Sequence, residues 1–94
     1  MAFSFLTQEI AMDLGTANTV IFRNDDIVMD APSIVAIDNN TGKCIAIGQQ
    51  AKLMHEHTNP GIKTIRPLRN GVIADFNAAE MMIKGFIKQV NNKK

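Results

Sequence analysis

One cysteine stands in the whole chain, Cys44, and a lone thiol excludes any internal disulfide. That suits a reducing compartment. Cys44 lies in the apolar stretch Lys43-Cys-Ile-Ala-Ile-Gly48 and is read there as a buried structural thiol, not a nucleophile. Charge of either sign is nearly balanced, at +1 net, so there is no strong field for nucleic acid or anionic lipid. The one basic spot, Lys93 and Lys94 with Lys88 nearby, reads as a solvated tail. No apolar run approaches the roughly 18–20 residues that span a bilayer. The opening Met-Ala-Phe-Ser-Phe-Leu lacks a basic n-region and a long h-region, so the chain is expected to stay inside the cell. There is no tandem repeat and no low-complexity segment.

What is present is the balance of a soluble domain. Hydrophobic residues make up 46% and charged residues 20% of 94 positions, enough for one small domain. Residues 9–14 read as a buried strand, residues 15–18 as a turn of small residues, and residues 19–23 as a second β-rich run. Asn24-Asp25-Asp26 is a turn signal, and residues 27–30 form a third strand, giving a meander. Ala31-Pro32-Ser33 marks a break, because proline cannot donate to a ladder. Residues 34–38 and 43–47 flank a hairpin turn, and residues 49–55 suit a short helix. Residues 57–61 read as a loop, residues 63–67 as extended, and residues 71–75 as the lead into the best helix.

That helix is expected over residues 77–91. Ala79, Met82, Ile83, Phe86, Ile87 and Val90 recur at helical spacing, and Met81, Met82 and Phe86 read as helix core. Asn77 with Glu80 three residues on resembles a capping box. Gly85 weakens the helix by about 1 kcal/mol against alanine and is expected to mark close packing.

The segment with chemistry in it is Asp13-Leu-Gly-Thr-Ala-Asn-Thr19. Gly15 can take positive φ and adds no side-chain bulk. Thr16, Ala17 and Asn18 are short enough to let backbone amides face an anion, with the Thr16 hydroxyl and the Asn18 amide as further donors. Asp13 ends a buried strand, where a bare carboxylate is costly unless offset, and magnesium reached through water offsets it. The plainer reading is a β-hairpin turn with Asp13 capping it. It is no Walker loop, since the lysine is missing and a strand follows.

Ile10-Ala-Met-Asp-Leu-Gly-Thr-Ala-Asn-Thr19 resembles the first phosphate loop of the actin, Hsp70 and sugar-kinase superfamily, in the form found in the MreB family of bacterial cell-shape proteins. Three later segments are similar to that family in the same order: Pro32-Ser-Ile-Val-Ala-Ile-Asp38, Ile65-Arg-Pro-Leu-Arg69 and Gly71-Val-Ile-Ala-Asp-Phe76. The likeness runs over residues 9–90. It implies an α/β fold: part of an actin-like, ribonuclease H-like ATPase lobe. That part holds a twisted, mostly antiparallel sheet from residues 9–30, a smaller β-rich extension over about 31–60, and a return segment and helix over about 61–94. It implies ATP and Mg2+ as cofactors, with Gly15, Thr16, Ala17 and Asn18 at the phosphates and Asp13 near the metal. It implies that residues 1–94 are the N-terminal part of a chain several times longer. The second phosphate loop, the adenosine pocket and the group that positions water would then lie beyond Lys94, so these residues hold half a site and no catalytic group. The parent is implied to be a weak, polymerisation-linked ATPase, cytoplasmic and membrane-associated. Its implied partners are itself as filament, cell-shape and wall-synthesis membrane proteins, and the inner-membrane surface, with no nucleic acid.

Other residues are read by their ordinary roles. Asp75 either approaches the nucleotide cleft or caps the helix near Asn77. His55 and His57 straddle Glu56, yet without a further ligand they read as exposed loop histidines. Arg66 and Arg69 flank Pro67 and either bind phosphate or a partner filament or, the more common outcome and the one expected here, form structural ion pairs. Phe3, Phe5 and Leu6 form an apolar tip too short and too poor in basic residues for a membrane helix; packing on the sheet or disorder is expected instead. Against the cytoskeletal ATPase stands a second reading, a small stand-alone β-rich binding module without nucleotide.

Overall fold

The computed structural model describes residues 3–6, 10–57 and 59–92, the first four by their backbone alone. Four strands run antiparallel in sequence order: β1 (Phe3–Leu6), β2 (Ile10–Leu14), β3 (Asn18–Arg23) and β4 (Asp26–Pro32). Alternation makes this sheet two-faced: Met12 and Leu14 on β2, Thr19 and Ile21 on β3, and Met29 on β4 are buried. Asn24 and Asp25, with φ of 51° and 70°, make the two-residue turn between β3 and β4, and both residue types tolerate that left-handed backbone. The expected meander over residues 9–30 is therefore present in β2, β3 and β4. The expected break at residues 31–33 falls later, because β4 runs on to Pro32. Proline is accommodated there as the last residue of a strand at the sheet's edge. The apolar tip at residues 3–6 pairs its backbone with β2, Phe3 opposite Leu14.

The second sheet has the order β6-β5-β7, with β5 (Val35–Asp38) between β6 (Cys44–Ile47) and β7 (Ile62–Ile65), all antiparallel. The β5–β6 turn is fastened by Asp38, whose Oδ1 accepts from the amides of Asn40 at 2.7 Å and Thr41 at 3.2 Å. Helix α1 (Gln49–Glu56) follows Gly48 and packs over this sheet. Successive residues of β5 serve two clusters: Val35 and Ile37 face the main core, while Ala36 joins Ile34, Ala46 and Ala51 under α1. Cys44 is exposed, not buried as its apolar neighbours suggest. A register shift pairs Ile37 with Cys44 directly after Ala36 with Ala46, which leaves Cys44 and Ile45 both outside.

The stretch expected as a simple lead into the long helix contains a further hairpin, β8 (Leu68–Arg69) and β9 (Val72–Ile73). Its turn is Asn70–Gly71, with φ of 53° and 76°, the pair of left-handed residues that a two-residue hairpin demands. Helix α2 (Phe76–Asn92) then begins one residue before the expected start. Its cap is Asp75, whose Oδ1 accepts from the Ala78 amide at 2.9 Å, and not Asn77, which already lies inside the helix. Glu80 instead meets Lys84 one turn on, at 3.7 Å. Ala78, Ala79, Met82, Phe86 and Val90 form the buried stripe, which closes the main core against Leu14, Ile21, Val35 and Leu68. Gly85 does mark close packing: a Cβ there would lie 2.4 Å from Ile47 Cδ1 on β6.

Candidate functional site

The turn that joins β2 to β3 is held closed by its own backbone, with the Gly15 amide donating to the Asn18 carbonyl at 3.0 Å. A Cβ on Gly15 would stand 2.5 Å from that carbonyl oxygen. Glycine is thus required by close approach; its φ is not positive, contrary to one of the two reasons the sequence suggests.

Ser33 braces the turn from behind. Its hydroxyl donates to the Gly15 carbonyl at 2.8 Å, and its amide donates to the Ala17 carbonyl at 2.9 Å. Because the single Ser33 hydroxyl hydrogen is used on Gly15, the 2.8 Å contact between Thr19 Oγ1 and Ser33 Oγ must have Thr19 as donor. Both Ser33 and Thr19 are fully buried, so these bonds are shielded from water. A fourth tie comes from the β8–β9 hairpin: the Gly71 amide donates to Thr16 Oγ1 at 2.8 Å. The outcome is a turn whose Gly15 and Ala17 carbonyls are satisfied by protein. The amides of Thr16 and Ala17 meet no acceptor among the described residues, and Thr16, Ala17 and Asn18 are exposed. Paired exposed amides on a fixed turn are suited to an anion.

The Asn18 side chain donates to Asp30 Oδ1 on β4 at 2.9 Å, which commits one of its two N–H groups within the sheet. Asp13 is exposed, between the buried Met12 and Leu14, so no burial penalty acts on its carboxylate, contrary to expectation. No group of three or more His, Cys, Asp or Glu side chains suited to a metal occurs among the described residues. A single open carboxylate two residues before the turn fits magnesium shared among water, phosphate and one carboxylate, not a protein cage.

Beside the turn lies a cleft of about 410 Å³, lined by Ala17, Asn18, Asp30, Pro32, Gln49, Lys52 and Arg66. Its wall combines Lys52 of α1 and Arg66, the residue after β7, with Ala17 and Asn18 of the turn and the carboxylate of Asp30. Sequence reasoning missed Lys52, since nothing in the short helix signals that its one lysine lines the cleft beside the turn. Arg66 and Arg69 form no ion pair among the described residues, where the expectation was one; both are exposed, and Lys84–Glu80 is the pair present. Asp75 caps α2, as one of its two readings had it. His55 and His57 are exposed, and His55 Nδ1 lies 2.6 Å from Thr64 Oγ1.

The chain is similar in sequence and fold to known proteins. The family model described as "MreB/Mbl protein" matches residues 7–94. The cell shape-determining protein Mbl of Bacillus subtilis is 47% identical over 87 residues, which is 92% of this chain and 26% of that protein. The cell shape-determining protein MreB of Haemophilus influenzae is 47% identical over 91 residues, with the same shares covered. Among solved structures, MreB5 of Spiroplasma citri bound to ADP superposes with a TM-score of 0.76 at 36% identity, over 88% of this chain and 26% of that one. The AMPPNP-bound form of MreB5 gives 0.71 at 35% identity, over 87% of this chain and 24% of that one. The chain spans about a quarter of the length of the relatives it matches. Its antiparallel sheets with α2 across them are part of an actin-like lobe. On sequence and structure alike, the chain belongs to the MreB/Mbl family.

Proposed function

We propose that this chain supplies the first phosphate-holding turn of an actin-like, ATP-dependent filament protein that sets bacterial cell shape by guiding wall synthesis. The observation that carries the reading is the turn itself: Ser33 holds its carbonyls, and the amides of the exposed residues Thr16 and Ala17 meet no acceptor among the described residues. The amides of Thr16 and Ala17 and the Thr16 hydroxyl bind the terminal phosphates, Gly15 permits the tight turn, and Asn18 holds the turn's far side to β4. Lys52 and Arg66 add positive charge to the cleft wall. Asp13 is the residue we assign to Mg2+, through water; the ion supplies neutralising charge to the phosphate oxygens. Supporting the nucleotide are the ADP and AMPPNP bound in the two MreB5 structures that this chain resembles. The stand-alone binding module is the weaker reading, because 92% of the chain aligns with a cell-shape protein.

In the parent, self-association into filaments, contact with cell-shape and wall-synthesis membrane proteins, and attachment to the inner face of the membrane follow from the same reading. Among the described residues no helix is long and apolar enough to cross a membrane. The polymerisation-linked ATPase belongs to the whole protein.

The test is a chimera in which this chain replaces the matching first quarter of Bacillus subtilis Mbl. The chimera is expected to bind ATP with Mg2+ and to form filaments, and Asp13→Ala is expected to weaken the magnesium-dependent binding while leaving the fold intact. A folded chimera that binds no nucleotide would sink the proposal; unchanged binding in Asp13→Ala would remove Asp13 from the site.

A further inference from the structure

An open strand edge presents a row of backbone donors and acceptors on which another strand can add. Proteins guard such edges with prolines, charges, bulges, covering helices or very short strands. The two sides of the four-stranded sheet are guarded differently. On one side, β4 ends in Pro32, carries Asp26 and Asp30, is shifted in register against β3, and has α1 packed against it. On the other side, β2 has little of this. Its sequence Ile-Ala-Met-Asp-Leu holds one charge and no proline, and no register shift interrupts its pairing with β1 or β3. What covers β2 is β1, a strand of four uncharged residues, Phe-Ser-Phe-Leu, set opposite Ala11 to Leu14. The match to the MreB/Mbl family begins at residue 7, so β1 lies outside the matched part.

We propose that the outer side of β2 is a strand-addition edge for a second copy of this chain, and that β1 is the cover that keeps it closed. With β1 displaced, two β2 strands pair antiparallel about a two-fold axis and join their sheets into one. Such a contact uses the same strand on both copies and closes at a dimer. The side chains set its register. Met12 and Leu14 face the core in each copy, so residues of the same face stand opposite one another. The register centred on Met12 overlaps the whole of Ile10–Leu14 and sets Ala11 opposite Asp13 of the second copy. Registers displaced either way overlap less, and the one centred on Asp13 sets two carboxylates face to face, which is unfavourable. Ala11 and Asp13 lie on the outer face, so the charge at residue 11 can be changed without entering the core.

The test opens the cover in the full chain with the double substitution Ser4→Pro/Phe5→Pro. Neighbouring amides of a strand point to opposite sides, so one of the two prolines must remove a donor to β2. Sedimentation equilibrium reads the mass, and circular dichroism follows the fold. Wild type is expected to be a monomer and the double-proline chain a folded dimer. On the double-proline background, Ala11→Lys should tighten the dimer and Ala11→Asp should loosen it. Each dimer contains the residue 11 to Asp13 pair twice, so the two dissociation constants should differ by roughly fourfold or more. A folded double-proline monomer overturns the proposal. So does a wild-type dimer as tight as the double-proline one, a dimer indifferent to the charge at residue 11, or growth into larger species. If the double-proline chain does not fold, deletion of residues 2–6 takes its place. Failure of that chain to fold overturns the proposal as well, since β1 would then be part of the core and not its cover.

Discussion

Replacing Ser33 with alanine removes one oxygen and, with it, two side-chain bonds of 2.8 Å that sit wholly out of water. Each bond has a net worth of about 0.5–1.5 kcal/mol, and a buried polar group left without a partner costs about 1–3 kcal/mol. Thr19 loses its acceptor and the Gly15 carbonyl loses its side-chain donor. Only the backbone bond from residue 33 to the Ala17 carbonyl survives. The expected loss is about 2–4 kcal/mol in unfolding free energy. At roughly 4–8 °C per kcal/mol for a domain of this size, the melting temperature falls by about 8–32 °C. Thermal unfolding followed by circular dichroism reads this directly. Thr19→Val supplies the internal control, because it removes the hydroxyl that Ser33→Ala strands. The double variant should lose less than the sum of the two single ones by about 1 kcal/mol. A loss below about 0.5 kcal/mol in Ser33→Ala, or strict additivity with Thr19→Val, would refute the claim that the hydroxyl pair holds the turn.

Three further outcomes follow from the same geometry. Asp75→Ala removes the cap on the Ala78 amide and is expected to cost about 1 kcal/mol by urea unfolding, whereas Asn77→Ala should change stability by a few tenths at most. Gly85→Ala gains about 1 kcal/mol of helix propensity but meets Ile47 Cδ1, so it should stabilise the chain only in an Ile47→Val background; equal effects in both backgrounds would contradict the packing. In the Mbl chimera, Lys52→Ala and Arg66→Ala should each weaken Mg·ATP binding by about two- to fivefold, as expected for charges open to water, and added salt should shrink the difference. Salt-independent affinities would place neither side chain at the phosphates.

The elements with a clear period were legible in the sequence. The meander of β2, β3 and β4 shows in alternating apolar residues and in the Asn24-Asp25 turn, and α2 shows in the spacing of Ala79, Met82, Phe86 and Val90. The β8–β9 hairpin was hidden because strands of two residues are too short to carry a period, although Asn70–Gly71 is itself a strong hairpin signal. Cys44 misled because a one-residue register shift moves a side chain to the other face, and periodicity cannot register a shift it does not contain. At the candidate site, the turn residues were legible from their small size and polarity. Their supports were not. Ser33 reaches Gly15 across eighteen residues and Gly71 reaches Thr16 across fifty-five, and only the folded meander and hairpin bring them together.

The same supports bear on what this chain does without the rest of a parent. Among the described residues, two amides and one hydroxyl hydrogen of the turn meet no acceptor and are open to an anion. Three charge-assisted bonds at about 1.5–3 kcal/mol each give roughly 5–9 kcal/mol. Immobilising the nucleotide costs an estimated 4 kcal/mol or more, and the adenosine would find no second lobe to lie against. The surplus is at most about 5 kcal/mol, and a dissociation constant of 1 mM already requires about 4. The 94-residue chain by itself should therefore bind Mg·ATP no tighter than about a few tenths of a millimolar and should release no phosphate. Calorimetric titration at low micromolar protein should show no saturable heat, while amide NMR at millimolar nucleotide should still show shifts at Thr16 and Ala17. Micromolar binding or measurable turnover by a pure sample would mean that the three-donor accounting omits a contact. The natural source of such a contact is a second copy of the chain closing over the nucleotide, and the molecular mass in solution with and without Mg·ATP would reveal it.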